Sequence, residues 1–340
     1  PRHPVYDWQY HCEEEEAKGI AKGPLLEKMF EGLEQLIQHY RPNGQLVTDL
    51  WQEGRPLWKD GDFSPSKDIQ ILWADDGYAD FGGWPDDLKG YPMGIYLHAG
   101  VWHNQVVQDP YPQRIGRAFR NASDRGMTHN VLVNGQNFKA FILNLEASAR
   151  AAWDPYGFDG DEFYKEWSSR YFGEKAAPKV VQSLELLHQA HGEEYGYRDI
   201  TKASRKILRD MKNGPVEAID LSGVKSALAT ALDAQKVAAE AAENTPPELL
   251  DLLDDQLTYP IGIYVQNLEV LESVIELNNV QTGTDQARIQ AEDHAEQRVN
   301  RLLATLRKGS NWEKWENWYL PENFRIHTPP IRPEELMGIR

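Results

Sequence analysis

The chain has 340 residues, a formal net charge of −17 and a single cysteine, Cys12. A chain of this length exceeds what one hydrophobic core usually organises, so we expect more than one domain. We expect no Lys/Arg-rich face or run to offset the acidic excess, which argues against a nucleic-acid partner because a phosphate backbone would be repelled. One cysteine excludes both an internal disulfide framework and a CxxC metal site.

The sequence also argues against a membrane partner. No apolar run approaches the roughly 20 residues that span a bilayer, and no charged-then-apolar leader opens the chain. We therefore expect a soluble protein. The 11 Trp and 15 Tyr residues suit sugar binding, since aromatic rings stack on sugars, but such rings also fill cores.

Residues up to about 155 alternate short β-type runs with helical or loop segments, which is typical of βαβ units around a parallel sheet. The predicted strands span 46–51, 69–73, 93–98 and 130–134, with a fifth candidate at 5–10. Helices are expected at 25–40 and at 112–125, the latter stopped by Gly126. A closed eight-stranded barrel typically needs about 250 residues. This segment is therefore either a small open sheet or the later part of a barrel whose early strands lie outside the chain.

After residue 155 the pattern changes to long helical periods. We predict a helical bundle over 156–310 and an extended Trp/Pro-rich tail over 311–340. The predicted helices span 161–172, 177–191, 200–212, 221–244, 247–277 and 284–308. Pro260 with Gly262 is expected to kink or split the fifth of these. The predicted fold class is a parallel α/β segment over 1–155 followed by an all-α bundle.

Each predicted strand ends in polar or charged side chains. They are Gln52 and Glu53 after the first strand, Asp75 and Asp76 after the second, His98 after the third and Asn134 after the fourth. Ligand sites of parallel β/α folds lie beyond the carboxyl ends of the strands, so we expect these groups to converge. Glycoside hydrolysis requires two carboxyl groups, one protonated to assist the leaving oxygen and one ionised to activate water or attack carbon.

The three candidate catalytic carboxyl groups are Glu53, Asp75 and Asp76. Trp51 and Trp58 flank Glu53, and apolar surroundings favour the protonated form that a general acid needs. Asp75 and Asp76 are adjacent, so in extended backbone their side chains point in different directions. One of them could face the site while the other holds the loop or a cation. Loop capping or solvation is the alternative for all three groups.

Candidate substrate-binding residues surround these carboxyl groups. They are Trp51, Gln52, Arg55, Tyr96, His98, Trp102, His103, Asn134 and Lys139. The histidines and Trp102 could bind a carboxylate or hydroxyls of a sugar, and Arg55 and Lys139 are the nearest cations for an acidic substrate. Structural contacts and surface salt bridges are the alternatives. His11 with the acidic run at 13–16 is more typical of a solvated face than of a metal site, so we predict no bound metal.

Five short motifs follow one another in order along the chain. They are WQE at 51–53, ILWADDGY at 71–78, GIYLH at 94–98, VNG at 133–135 with Lys139, and AWDP at 152–155. This series resembles glycoside hydrolase family 115, the xylan α-glucuronidases, which release glucuronic or 4-O-methylglucuronic acid from xylan side chains. The resemblance covers residues 25–175, while the segments at 98–105 and 134–140 depart from the family's pattern.

The resemblance implies an inverting glycoside hydrolase of a polysaccharide or oligosaccharide that needs no cofactor, with the second half of a (β/α)8 barrel followed by a helical bundle. Glu53 would be the general acid, and Asp75 or Asp76 the base or a substrate-positioning group. We expect a secreted or periplasmic protein. The family's upstream half-barrel would come from a segment outside this chain or from a partner chain, and a homodimer is a further option. The rival hypotheses are a non-catalytic carbohydrate-binding protein that retains the aromatic cleft and an assembly subunit.

Overall fold

The computed structural model describes residues 18–51, 54–100, 106–135, 138–192, 194–214, 217–311, 315, 317–324 and 329–337. The chain divides into two compact units. Unit 1 comprises Pro1–Ala99, Pro112–Gly135 and Asn144–Gly160, and unit 2 comprises Gly100–Tyr111, Gln136–Leu143 and Asp161–Arg340. The units interleave along the sequence, and the predicted three-part division at 155 and 310 stays a prediction. The candidate strand at 5–10 lies outside the described residues.

Unit 1 contains a parallel four-stranded sheet in the order β1-β2-β3-β4. The strands are β1 (Val47–Leu50), β2 (Gln70–Ala74), β3 (Met93–His98) and β4 (Val131–Asn134). The two central strands, β2 and β3, are almost entirely buried, which explains why their sequences are continuous apolar runs. The register sets Leu50 opposite Trp73 and His98 opposite Asn134. The predicted parallel α/β segment is confirmed, with every strand bound within one residue of its predicted position.

In the part of the chain that the structure describes, four helices lie between residues 18 and 155. They are α1 (Lys22–Tyr40), α2 (Gly54–Asp60), α3 (Pro112–Asp124) and α4 (Ile142–Trp153). The sequence predicted α1 and α3, and Gly126 follows α3 with a positive φ of 74°, as expected of a helix stop. It missed α2, which has only seven residues.

The sequence also missed α4 because polar residues occupy its buried face. Asn144 and Ser148 are fully buried. The Asn144 amide donates to the Ala99 carbonyl at 3.0 Å, and the Ser148 hydroxyl donates to the Asn144 carbonyl at 2.7 Å. These polar side chains are tolerated because they are hydrogen-bonded, but they interrupt the apolar period from which a helix is recognised.

Unit 2 is helical in the part that the structure describes. Its long helices are α5 (Gly160–Phe172), α6 (Ala177–His191), α7 (Tyr197–Asn213), α8 (Ser222–Asn244), α10 (Tyr259–Asn279) and α11 (Asp285–Lys308). Helix α10 is buried along most of its length and packs against α7, α8 and α11, while α6 packs on α8. The short helices α9 (Leu250–Leu253) and α12 (Pro333–Leu336) complete the set. The α/β-plus-helical fold class is therefore confirmed.

The helix predicted over 247–277 is split, as expected from Pro260. A 3₁₀ turn (Pro247–Leu249) leads into α9, and a π-helical turn (Asp254–Thr258) then separates α9 from α10. The irregular turn lies on the N-terminal side of Pro260, because proline has no amide hydrogen and its ring clashes with the carbonyl four residues earlier. This turn orients Asp255 toward the interior, where it is buried.

The expectation that no Lys/Arg-rich segment offsets the acidic charge is wrong for α7. This helix of 17 residues contains six basic and two acidic side chains, which leaves a local charge of +4. Apolar residues separate its cations in the sequence, so they form a basic face only when the helix is wound. Within the described residues, no helix has the length and apolar character needed to cross a membrane.

Candidate active site

Five side chains from the four strand ends meet at the carboxyl edge of the sheet in unit 1. The residues are Trp51 beyond β1, Asp75 beyond β2, Tyr96 and His98 on β3, and Asn134 on β4. Two backbone hydrogen bonds of 3.0 Å, from Asp75 N to Tyr96 O and from Ala99 N to Asn134 O, extend the pairing past the strand ends. The structure thus brings these predicted residues together by strand register.

A buried pair between Asp75 and His98 lies at the centre of this edge. Asp75 Oδ1 lies 2.5 Å from His98 Nδ1 and also accepts the His98 backbone amide at 3.0 Å. Asp75 Oδ2 accepts the amide of Ala79 at 3.1 Å. One carboxylate therefore fixes both the imidazole of β3 and the loop that follows β2.

Burial raises the pKa of Asp75 above its ordinary value of 3.8, and the hydrogen bonds from His98 and Ala79 act in the opposite direction. Asp75 is fully buried and His98 nearly so. A carboxyl–imidazole bond at Nδ1 restricts the orientation and the tautomer of the ring. This pair is suited to holding a polar group at a strand end in a fixed orientation.

Aromatic rings enclose His98 on two sides. The ring centroids of Tyr96 and Trp51 lie 4.5 Å and 5.9 Å from that of His98. The Asn134 amide donates to the Tyr96 hydroxyl at 3.0 Å, which ties β4 to the same cluster. Trp51, Tyr96 and Asn134 are all half-buried. The edge therefore combines aromatic faces with amide and hydroxyl groups, a combination that suits a sugar ring.

Asp76 has a different partner from that of Asp75. Its carboxylate pairs with Arg55 on α2, and the Asp76 side chain is 43% exposed. Arg55 Nη1 also donates to the Phe81 carbonyl at 2.5 Å. Gly82 lies against this pair with a φ of +56°, and a Cβ there would collide with the Asp76 carboxylate. The guanidinium therefore links α2 to the 76–82 loop.

The loop after β2 has an uncommon backbone. Tyr78 and Ala79 both have a φ of 57°, a region that residues other than glycine rarely adopt. Such conformations cost about 1–3 kcal/mol each and cluster at functional sites. The Asp75–Ala79 hydrogen bond holds the loop in this shape. Sequence reasoning missed this feature, and its nearest signal was the glycine at position 77.

Four candidate residues, Gln52, Glu53, Trp102 and His103, lie outside the described residues. Their predicted roles, including that of Glu53 as general acid, stay predictions. Within the described residues, no cluster of histidine, cysteine or carboxylate side chains is arranged to hold a metal ion.

Lys139 belongs to unit 2 and is engaged inside it. Its ammonium lies 2.7 Å from Asp255 Oδ1 and 3.2 Å from the Tyr319 hydroxyl, and both charged side chains are at most 1% exposed. The Asp255 carboxylate also accepts the Ser310 hydroxyl at 2.7 Å and the Gln256 amide at 2.8 Å. Lys139 was predicted to pair with an acidic substrate. In the structure its ammonium instead forms an ion pair with Asp255. The sequence missed this partner because the π-helical turn that presents it cannot be read from periodicity.

Comparison with known proteins identifies the family. No curated protein matches the chain. Among solved structures, the fold is similar to that of a family GH115 4-O-methyl-α-glucuronidase with specificity for decorated arabinogalactans, with 14% sequence identity and a TM-score of 0.61. The match covers 92% of this chain and 42% of the solved chain, so this chain spans about two fifths of that protein's length. The model of glycosyl hydrolase family 115 matches residues 12–194, more than half of the 340 residues. The chain therefore belongs to glycosyl hydrolase family 115.

Proposed function

We propose that the intact protein is a glycoside hydrolase that releases glucuronic acid, 4-O-methylglucuronic acid or a related sugar from a polysaccharide with inversion of configuration. Family membership supports the reaction class. The observation that carries the proposal is the buried Asp75–His98 pair between the rings of Trp51 and Tyr96 at the carboxyl edge of a parallel sheet. This edge is where β/α enzymes place their active sites.

We further propose that unit 1 is the second half of a (β/α)8 barrel. Its strands follow one another without the reversal of order that defines the site of an open doubly wound sheet. Strands β1 and β4 form the edges of the sheet in the part described, and Val47, Val131 and Leu132 on them are exposed apolar residues. Parallel sheets are normally buried, so these edges support a further set of strands supplied by a longer chain or a partner.

One face of α1 supports the same proposal. It carries the exposed apolar side chains Met29, Leu33, Leu36 and Tyr40. They recur at helical spacing and form a stripe along the helix. An apolar stripe of this kind is suited to packing against another element of a completed barrel.

The three carboxyl groups take separate roles in the proposal. Glu53 is the general acid, as the resemblance implies. Asp76 is the better candidate for the base that activates water, because its carboxylate is partly exposed whereas Asp75 is buried with both oxygens hydrogen-bonded. Asp75 is a positioning residue that acts through His98. Trp51, Tyr96 and Asn134 contact the sugar, and Arg55 is the cation nearest to Asp76 for a uronate.

We also propose that the intact protein acts outside the cytoplasm, on an acidic-sugar-bearing polysaccharide and without a cofactor. Its barrel is completed by an upstream segment or a partner chain, and a homodimer remains an alternative assembly.

The experiment is an assay of the intact protein, including any upstream half-barrel, on glucuronoxylan and on glucuronic-acid-decorated arabinogalactan. NMR of the released uronic acid should show the β-anomer first, because an α-linkage is cleaved with inversion. Glu53→Gln should lower kcat by about 10²–10⁴-fold, the usual contribution of general acid catalysis. Wild-type turnover by this variant would remove Glu53 from the mechanism.

A second candidate function is carbohydrate binding without catalysis, which the aromatic rings around His98 favour. Isothermal titration of the intact protein with the same polysaccharides separates the two functions. Binding without any released sugar would support the binding protein and contradict the hydrolase.

A further inference from the structure

Helix α7 in unit 2 presents a row of cations to solvent. Lys202, Lys206, Arg209 and Lys212 are exposed, whereas the opposite face of the helix is buried. Their spacing of three or four residues places them on one side of the helix. The distance along the axis from Lys202 to Lys212 is about 15 Å at 1.5 Å per residue. This positively charged face contrasts with the net charge of −17 of the whole chain.

Most of these cations are not neutralised by neighbours. Lys206 pairs with Asp210 at 2.7 Å across one helical turn, with side chains 71% and 40% exposed. Within the described residues, the structure gives no ion pair for Lys202, Arg209 or Lys212. Three positive charges therefore remain available to a ligand.

These residues line a groove of about 560 Å³, a size within the usual range of ligand sites. Ala203 and Leu208 contribute apolar surface to it, and Glu335 on α12 lines it as well. Arg205 binds the Glu335 carboxylate through two hydrogen bonds of 2.8 and 3.1 Å and donates to the Pro330 carbonyl at 2.8 Å. The segment at 329–337 is thus fastened to α7, and the groove has a fixed wall.

We propose that this groove is a second carbohydrate site, separate in composition from the candidate active site, which binds the carboxylate groups of a uronate-bearing polysaccharide. The choice of a polysaccharide rests on the proposed function, while the choice of an anionic ligand rests on the charges alone. No aromatic side chain lines the groove in the described part of the chain, so a neutral sugar has no ring to stack on. Lysine and arginine beside apolar groove-lining residues favour carboxylates on an otherwise uncharged chain.

A nucleic acid fits the same groove less well. Its continuous phosphate charge would extend beyond the roughly 15 Å of the basic row and meet the acidic surface of a chain with net charge −17. A polysaccharide with sparse uronates carries negative charge only at those sugars. They can lie against the basic row while the uncharged sugars lie against the acidic surface. The charge distribution of the whole molecule therefore favours a uronate-bearing polysaccharide over a nucleic acid as the ligand.

The test reverses two of the unpaired cations, Lys202→Glu with Arg209→Glu, in the intact protein carrying Glu53→Gln so that the polymer is not cleaved. The matched control is Lys225→Glu with Lys236→Glu, which makes the same charge change at exposed positions of α8. Affinity electrophoresis in gels containing glucuronoxylan measures binding, and circular dichroism checks that the variants are folded. The groove variant should bind roughly tenfold more weakly and the control within about twofold, with added salt weakening the wild type.

Equal binding by the groove variant and the wild type would overturn the proposal, as would an equal loss in the control or retardation by unsubstituted xylan. Stronger retention of a DNA oligonucleotide than of glucuronoxylan would overturn it in favour of nucleic acid. A soluble aryl α-glucuronide tests the proposed function separately. The groove variant in an otherwise wild-type protein should hydrolyse it normally, whereas no hydrolysis even by the wild type, with groove-dependent binding intact, would contradict the hydrolase and leave the groove standing.

Discussion

Two buried acid–base pairs in this protein have similar geometry but different surroundings. Asp75 lies 2.5 Å from the His98 ring nitrogen in unit 1, and Asp255 lies 2.7 Å from the Lys139 ammonium in unit 2. In both pairs the carboxylate is almost completely buried. Burial raises the pKa of Asp75 and lowers that of Lys139, because it disfavours the charged form of each group.

The difference lies in what encloses each pair. The Lys139 ammonium meets Asp255 and the hydroxyl of Tyr319, and Ser310 and Gln256 complete the hydrogen bonds of Asp255. The Asp75–His98 pair instead borders half-buried aromatic and amide groups at the ends of parallel strands. A buried charge pair alone therefore does not identify a functional site. The Asp75–His98 pair is the candidate because it lies at the carboxyl edge of a parallel sheet, and variants of each pair should separate effects on stability from effects on activity.

The largest effect on stability is expected at the Lys139–Asp255 pair. Lys139→Met leaves the Asp255 carboxylate buried without its cation, so the free energy of unfolding should fall by about 3–5 kcal/mol. Urea denaturation followed by circular dichroism measures it. Lys179→Met is the matched control, because Lys179 pairs with Glu240 at the surface with both side chains more than a third exposed. This control should change stability by no more than about 1 kcal/mol.

A second change sharpens the same test. Adding Asp255→Asn to Lys139→Met removes the uncompensated charge and keeps an oxygen for the Ser310 hydroxyl. The double variant should therefore regain a large part of the lost stability. If Lys139→Met alone has the same free energy of unfolding as the wild type, Lys139 does not neutralise a buried Asp255 carboxylate.

An intermediate effect is expected at Asp75. Asp75→Asn replaces one carboxyl oxygen with an amide nitrogen, which cannot accept a hydrogen bond, so an N–H of His98 or Ala79 loses its partner at a cost of about 1–3 kcal/mol. Because the folded protein binds the Asp75 proton more tightly than the unfolded chain, the stabilisation from this proton is complete below pH 3.8 and is lost as pH rises through the higher folded-state pKa. The stability difference between wild type and variant should therefore widen as pH falls toward 3.8, as measured by urea denaturation at successive pH values. A difference that does not vary with pH would contradict the raised pKa.

The smallest effect on stability is expected at the Arg55–Asp76 pair. Asp76 is partly exposed, so Arg55→Met should lower the free energy of unfolding by no more than about 1 kcal/mol. Thermal unfolding of this variant beside Asp75→Asn checks the order of the two effects. A larger loss for Arg55→Met would place the anchoring of the loop after β2 on Arg55 rather than on Asp75.

The sequence predicted the strands of unit 1 because each is an apolar run that ends in polar residues. It predicted the meeting of Asp75, His98 and Asn134 for the same reason, since parallel strands bring their carboxyl ends to one edge. It could not predict which carboxylate holds His98, because that depends on a side-chain contact between neighbouring strands.

Long-range polar pairing was likewise beyond the sequence. The partner of Lys139 is presented by a π-helical turn more than a hundred residues later, and no local pattern links the two. The basic face of α7 was overlooked because its cations are dispersed among apolar residues. In each case the missing information is three-dimensional contact rather than local propensity.

We propose that the Asp75–His98 edge contributes to catalysis whereas the Lys139–Asp255 pair contributes only to stability. The most direct test compares kcat and its pH profile for Asp75→Asn and for the Lys139→Met, Asp255→Asn double variant in the intact protein, per mole of folded enzyme. We predict that Asp75→Asn lowers kcat about 10²-fold and alters the pH profile, while the double variant keeps both. Wild-type turnover by folded Asp75→Asn, or an equal loss in the double variant, would contradict the claim.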